Sequence, residues 1–307
     1  MVAPTGEQYV IEGGGYRAVV TEGGATLRTL EYAGRALLDG FPESSMATAA
    51  RGQLLAPWPN RIRDGAYDFD GRTHQLPLSE PSRHNASHGL VRWASWSVEE
   101  HTGNSLSLVH RLMAQSGYPW TLDLHVLYDL SADGLTVTLT ATNLASGAAP
   151  YATGAHPYLV AGTELVDELE LTLPAATRLV VDDRLIPVGR ERVSGTDLDF
   201  RMARPIRGTV FDHAFTDLTR DASGRATVVL HNPTDGTGVT LWVDASHPWL
   251  QVYSSDDRPG SARRSLAVEP MTAPPDAFRS GEDLVTLAPA GEQGDEHSAS
   301  WGIRALD

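Results

Sequence analysis

The chain has 307 residues, with 24 arginines, no lysine, no cysteine and a formal net charge of −15. Lacking cysteine, it has no disulfide framework, no thiolate nucleophile and no cysteine-held zinc or iron–sulfur site; lacking lysine, it forms no Schiff base and has no P-loop lysine. The net negative charge excludes a grip on nucleic acid or on an anionic membrane surface, and no run approaches the ~20 apolar residues of a membrane span.

In chain order, Met1–Glu7 has neither a basic nor an apolar signal region, so a cytoplasmic location is expected. Gly13-Gly14-Gly15 reads as a hairpin turn, because no helix follows it to make a phosphate cradle. Pro57–Gly65 carries Asn60, Arg61 and Arg63 among prolines. A guanidinium fork there either satisfies loop carbonyls or binds hydroxyls, a carboxylate or a phosphate. Tyr67–Phe69, the turn Asp70-Gly71 and Arg72–Leu76 predict a hairpin with a tight I′ turn. The nearby aspartates suggest a calcium loop, but Ala66 and Pro77 occupy its first and twelfth ligand positions.

His84-Asn85-Ala86-Ser87-His88-Gly89 spaces two histidines by four, but Asn, Ser and Gly oppose the helix a metal pair would need. A loop histidine making one hydrogen bond fits better. Thr121–Leu130, a turn at Ser131–Gly134 and Leu135–Asn143 alternate apolar and polar residues as a β-hairpin does. Gly154-Ala155-His156-Pro157-Tyr158 places a histidine in extended backbone before a proline, either in the core or beside a ligand. Val210–Phe215 flanks Asp212 with apolar residues, so that acid is either buried with a partner or faces a pocket. Ala226–Leu230 and Val239–Val243 form another hairpin around Asn232–Gly236. Glu269 is read as ending an apolar strand before a proline-rich loop that holds its carboxylate still. Gly291–Ser298 is a polar bend before a last strand at Trp301–Leu306. Glycine (29) and proline (19) fall between short strands, and no amphipathic helix of 12 or more residues is found. The reading is an all-β chain, a large antiparallel β-sandwich in one domain spanning 1–307.

Taken together, Asn60-Arg61-Ile62, Asn85-Ala86-Ser87-His88-Gly89, Gly154-Ala155-His156-Pro157-Tyr158, Phe211-Asp212-His213 and Glu269-Pro270-Met271-Thr272 resemble the aldose 1-epimerase (galactose mutarotase) family, in its order and over nearly the whole chain. The resemblance implies the family's galactose mutarotase-like supersandwich. It also implies Glu269 as general base on the anomeric hydroxyl and His156 as general acid on the ring oxygen. Arg61, His88 and Asp212, with Asn60 and Asn85, would contact the sugar. No metal or organic cofactor is implied, and the partner is a monosaccharide, bound by a monomer or homodimer.

Reference pKa values of about 4.3 for Glu and 6.5 for His suit a carboxylate base and an imidazolium acid near neutrality. Trp58, Tyr158 or Trp93 would supply a stacking wall. The chain departs from the family's better-known pattern after His88-Gly89, where it runs Leu90-Val91-Arg92-Trp93. Arg63, Arg83 and Arg92 would serve a phosphorylated hexose or lie solvated on the surface. Two alternatives to a free-hexose epimerase therefore stand: a hexose-6-phosphate mutarotase, and a non-catalytic sugar-binding protein on the same fold.

Overall fold

The computed structural model describes residues 2–258 and 260–307. Two large antiparallel sheets carry the architecture. The first has nine strands in the order Ser97–His101, Ser105–Leu112, Leu122–Ser131, Gly134–Asn143, Glu296–Leu306, Gly238–Val243, Ala226–His231, Glu170–Thr172 and Arg204–Pro205. The second runs Pro187–Arg192, Ala175–Val181, Asp212–Leu218, Trp249–Tyr253, Leu266–Met271, Gly154–Ala155 and Leu54–Leu55, with Tyr158–Leu159 also paired to Leu266–Met271. A four-stranded sheet at the N-terminus and three two-stranded ribbons complete it.

Side-chain alternation explains why the two sheets stack. Leu122, Leu124, Val126, Tyr128 and Leu130 are buried, while Asp123, His125, Leu127 and Asp129 between them point outward. Leu135, Val137, Leu139 and Ala141 repeat the scheme on the paired strand. These inward residues share one apolar cluster with Leu250, Val252, Leu266 and Val268 of the second sheet, so the molecule is a β-sandwich. Alternation then forces Gln251, Tyr253 and Glu269 onto the far face of the second sheet, away from that core.

The hairpins fall where alternation and turn residues place them. Asp70 and Gly71 join Ala66–Phe69 to Arg72–Gln75 with φ of +49° and +70°, the signs a I′ turn requires. Two expectations need correction. The last strand begins at Glu296 and not at Trp301, so part of the expected polar bend is strand. Its outward residues Glu296, Ser298 and Ser300 are bonded by Thr142, Thr140 and Thr138 across the ladder. Glu269 does not end its strand either, because Leu266–Met271 continues through Pro270. A proline inside a strand is tolerated where a neighbouring strand is interrupted. Here the flanking strand is split into Gly154–Ala155 and Tyr158–Leu159.

Candidate active site

The split in that flanking strand is where His156 sits, between Ala155 and Pro157 and directly beside Glu269. His156 Nε2 lies 3.2 Å from Glu269 Oε1, and the two side chains are only 6% and 3% exposed. Gly154 permits the close approach: a Cβ there would lie 2.6 Å from the Pro270 carbonyl oxygen. One strand over, Gln251 is the register partner of Glu269. Its amide donates to Asp212 Oδ1 (2.7 Å) and accepts from Asn60 Nδ2 (3.3 Å). The sheet therefore presents Glu269, Gln251 and Asp212 as one polar row.

Loops raise the walls above this floor. The ribbon pairing Arg61–Arg63 with Asn85–Ser87 is joined to the proline-rich segment after Glu269: Asp276 N donates to the Arg61 carbonyl (2.6 Å), and Arg63 N donates to Asp276 Oδ1 (2.9 Å). Arg61 grips Glu80 bidentately, at 2.7 and 3.0 Å, and Arg83 donates to the same carboxylate at 3.0 Å. His88 has φ of +59° and is followed by Gly89 at +70°. A Cβ on Gly89 would lie 2.1 Å from the Ala56 carbonyl oxygen, so only glycine fits. That turn brings His88 Nδ1 to accept from Asn60 N (3.2 Å), which puts the proton of the neutral ring on Nε2. His88 and His156 then meet edge to face at 5.5 Å, and Tyr158 stacks on His156 at 4.9 Å. The cavity so enclosed measures about 300 Å³, the lower end of small-molecule sites.

Electrostatics in this cavity are dominated by burial, which disfavours charge. Burial drives Glu269 well above the ordinary carboxylate value, and the Asp212 charge adds to the effect while Arg61 opposes it. Burial likewise drives His156 down to about 3, helped by the charges of Arg92, Arg258 and Arg51. His88 is held well below its usual value by burial and then by His156. Asp212 is raised by burial, against Arg61. Glu80 stays below the usual range despite its burial, because Arg61 bonds and pairs with it. The Glu269–His156 pair therefore favours a state with one proton and no net charge separation, whereas reference values gave a carboxylate and an imidazolium. Glu269 Oε2 and His156 Nδ1 are buried and have no hydrogen-bond partner among the described residues.

Of the residues singled out in the sequence, Asn60, Arg61, His88, His156, Asp212 and Glu269 line this one cavity. Asn85 stands behind the wall, where its amide donates to Glu80 Oε2 (3.3 Å) and to the Arg184 carbonyl (3.0 Å). It steadies the residue that steadies Arg61 and does not face the cavity. Trp58 is core, 3% exposed and packed against Phe278 at 5.7 Å, so it offers no stacking surface. Trp93, 56% exposed, stands at the rim. Arg63 reaches towards Asp276 outside the cavity, Arg83 lies at its edge on Glu80, and Arg92 is in its wall. His84 is on the surface against Asp64 and does not line the cavity that His88 lines. Among the described residues no group of three or more His, Asp or Glu side chains could hold a metal ion, and no helix is long and apolar enough to cross a membrane.

Several residues lining the cavity are not marked by the sequence, Gln251 and Glu80 foremost because they hold Asp212, Asn60 and Arg61. Gln251 is a lone polar residue in Trp249-Leu250-Gln251-Val252-Tyr253, buried on both faces of its strand. That mismatch was its only signal. Glu80 lies in an unpatterned turn, and nothing local marks it as the partner of Arg61.

A sequence model of the family "Aldose 1-epimerase" matches residues 7–299. The chain is 36% identical over 300 residues to the uncharacterized protein YihR of Escherichia coli K12, covering 97% of this chain and 93% of that one. It is 27% identical over 286 residues to galactose mutarotase of Sus scrofa, covering 85% and 81%. Among solved structures, the GalM/aldose epimerase homologue from C. elegans superposes with a TM-score of 0.84 at 21% identity, covering 98% of this chain and 99% of that one. This last likeness speaks to the fold.

Proposed function

The chain belongs to the aldose 1-epimerase family, and from that premise we propose that it interconverts the α and β anomers of an aldohexose by opening and reclosing the ring at Glu269 and His156. The observation that carries this reading is the contact of 3.2 Å between a buried carboxyl and a buried imidazole on the floor of the cavity. A site that only binds sugar has no need of a matched acid and base, and burying such a pair is costly.

Chemically, the anomeric oxygen O1 and the ring oxygen O5 sit on the same carbon, so an acid and a base in contact can serve both. Ring opening proceeds from the less favoured ion-pair tautomer of the resting neutral pair, which holds the same single proton: the Glu269 carboxylate takes the O1 proton, the C1–O5 bond breaks with its electrons going to O5, and the His156 imidazolium protonates O5. The products are the open aldehyde, protonated Glu269 and neutral His156. That neutral pair is the form burial favours, so the environment stabilises the catalyst at the end of the opening step. Rotation about C1–C2 turns the other carbonyl face to O5. Reclosure returns the O5 proton to His156 and the Glu269 proton to O1, and the pair is restored. The reaction already proceeds in water, and a positioned acid and base at roughly 10²–10⁴-fold each suffice to accelerate it. In this reading Arg61, Asp212, Asn60 and the Nε2–H of His88, which line the cavity, hold ring hydroxyls.

Polarimetry of freshly dissolved α-D-glucose and α-D-galactose tests the reading. Wild-type protein should accelerate the approach to anomeric equilibrium, and Glu269→Gln should abolish that acceleration while keeping the fold. A folded wild type that accelerates no sugar, or a variant as active as the wild type, overturns it.

A further inference from the structure

His156 lacks the usual tether. A catalytic imidazole is ordinarily aimed by a hydrogen bond from its second ring nitrogen to a carboxylate or carbonyl, but His156 Nδ1 has no partner among the described residues. Against the ring lies Tyr158 instead, tilted by only 11° with the centroids 4.9 Å apart, and the edge of His88 at 5.5 Å. The stack sets the plane of the imidazole, and the 3.2 Å contact with Glu269 sets its direction within that plane. The aim of His156 is therefore only as good as the hold on Tyr158.

That hold converges on one carboxylate. The Tyr158 hydroxyl donates to the Ala49 carbonyl (3.0 Å), and its own carbonyl accepts from Asp39 N (2.9 Å). The Arg51 guanidinium lies over the Tyr158 ring, its Cζ 4.7 Å from the centroid. Arg51 is in turn bonded to Asp39, Nη2 to Oδ2 at 2.9 Å, and the same Oδ2 accepts from Ser265 Oγ at 2.9 Å. Ser265 directly precedes the strand that carries Glu269. Asp39 thus bonds the segments beneath both members of the pair, yet neither Asp39 nor Arg51 lines the cavity. The turn that carries Arg51 is strained, with Ala49 and Ala50 both at φ of +56°. Backbone bonds lock it to the His156 segment, Gly52 N to the His156 carbonyl (2.9 Å) and His156 N to the Gln53 carbonyl (3.1 Å). An ion pair in such a place adds little net stability; its effect lies in where it puts the guanidinium. We propose that Asp39 is a positioning residue for ring opening: it anchors Arg51 over Tyr158, and Tyr158 so held sets the plane of His156 beside Glu269. This rests on the mutarotase reading above and extends it to a carboxylate outside the cavity.

The test joins mutarotation kinetics on D-glucose and D-galactose to NMR of the free protein. Asp39→Asn and Arg51→Gln should each lower kcat about tenfold with KM held within about twofold, because a tilted imidazole weakens the transition state and leaves the hydroxyl contacts alone. The double variant should lose no more than the worse single, since the two side chains act as one unit. Arg51→Lys, which keeps the charge pair without the flat fork, should retain part of the rate. The imidazole C–H signals of His156, assigned with His156→Gln, carry the ring-current shift of Tyr158. They should move towards the free-histidine position in both single variants. A folded Asp39→Asn with the wild-type kcat, losses that multiply in the double variant, a loss carried by KM alone, or imidazole signals that stay in place overturns the inference and leaves the mutarotase reading standing. If Arg51→Gln does not fold, Asp39→Asn and Arg51→Lys decide. Should the wild type accelerate neither sugar, the mutarotase reading fails first and takes this one with it.

Discussion

Glu269→Gln separates the chemical role of the carboxyl from its effect on stability, and the two should move in opposite directions. In the folded protein burial makes Glu269 keep its proton well above the ordinary carboxylate value, while His156 keeps its own only down to about 3 instead of the usual 6.5. Between pH 4.5 and 6.5 the folded pair therefore holds one proton, and the unfolded pair, with Glu ionised and His protonated, also holds one. The pair contributes no slope to stability in that window.

Replacing Glu269 by Gln leaves His156 alone. Its folded pKa is depressed, so the unfolded state binds more protons below 6.5, and stability now rises with pH from about 3 to 6.5. The slope is about 1.4 kcal/mol per pH unit, which makes the variant gain roughly 3 kcal/mol over the wild type between pH 4.5 and 6.5. The groups are almost fully buried, so solvent screening takes little from this. Urea unfolding of both proteins at pH 4.5, 5.5 and 6.5 measures it directly. Polarimetry on the same samples should show a loss of about 10²–10⁴-fold in rate. A difference in unfolding free energy that stays constant with pH would refute the reasoning, because His156 would then keep its proton in the fold and burial would not depress it as described.

The pH profile of kcat/KM in the wild type should be a broad plateau. Activity falls on the acid side only as His156 takes a second proton near pH 3, and on the alkaline side as the raised Glu269 loses its own; limbs near pH 4.3 and 6.5 would contradict the buried pair. Glu80→Gln should raise KM about tenfold with a smaller change in kcat, since it loosens the bidentate hold on Arg61 without touching the acid or the base; initial-rate kinetics separate the two. Gly89→Ala should cost about 2 kcal/mol or more, because a Cβ there meets the Ala56 carbonyl at 2.1 Å in a left-handed backbone. Thermal unfolding would report it, and an unchanged melting temperature would mean that the His88 turn is not held as described.

What could be read from the chain depended on how local each signal was. The hairpins at Leu122–Asn143 and Ala226–Val243 follow from alternation and turn residues within about 20 positions, and their strands match within a residue. Glu269 and His156 were legible only through the family resemblance, since an isolated glutamate or histidine in an apolar run reads equally well as core. The continuation of the strand through Pro270 was hidden because the break that tolerates it lies in another segment, at His156-Pro157. The family resemblance groups Asn85 with the expected sugar contacts, but its amide donates to Glu80 and to the Arg184 carbonyl, and a turn with no pattern sets that partner. Trp58, an indole between two prolines, reads equally as a pocket wall or as core. Only the packing of Phe278 against it decides.

The cavity takes Asn60 and Arg61 from one loop, Glu80 and His88 from the next, His156 from a strand break, and Asp212, Gln251 and Glu269 from three adjacent strands. None of these segments is complete without partners far away in the chain. Closing such long loops is slow, and chains dominated by non-local pairings fold late and cooperatively. Recovery of mutarotation after dilution from urea should therefore track the slowest folding phase, not the collapse that first hides the tryptophans. Turnover then becomes a reporter of the finished topology, and a chain stalled one pairing short of it would be compact and inert.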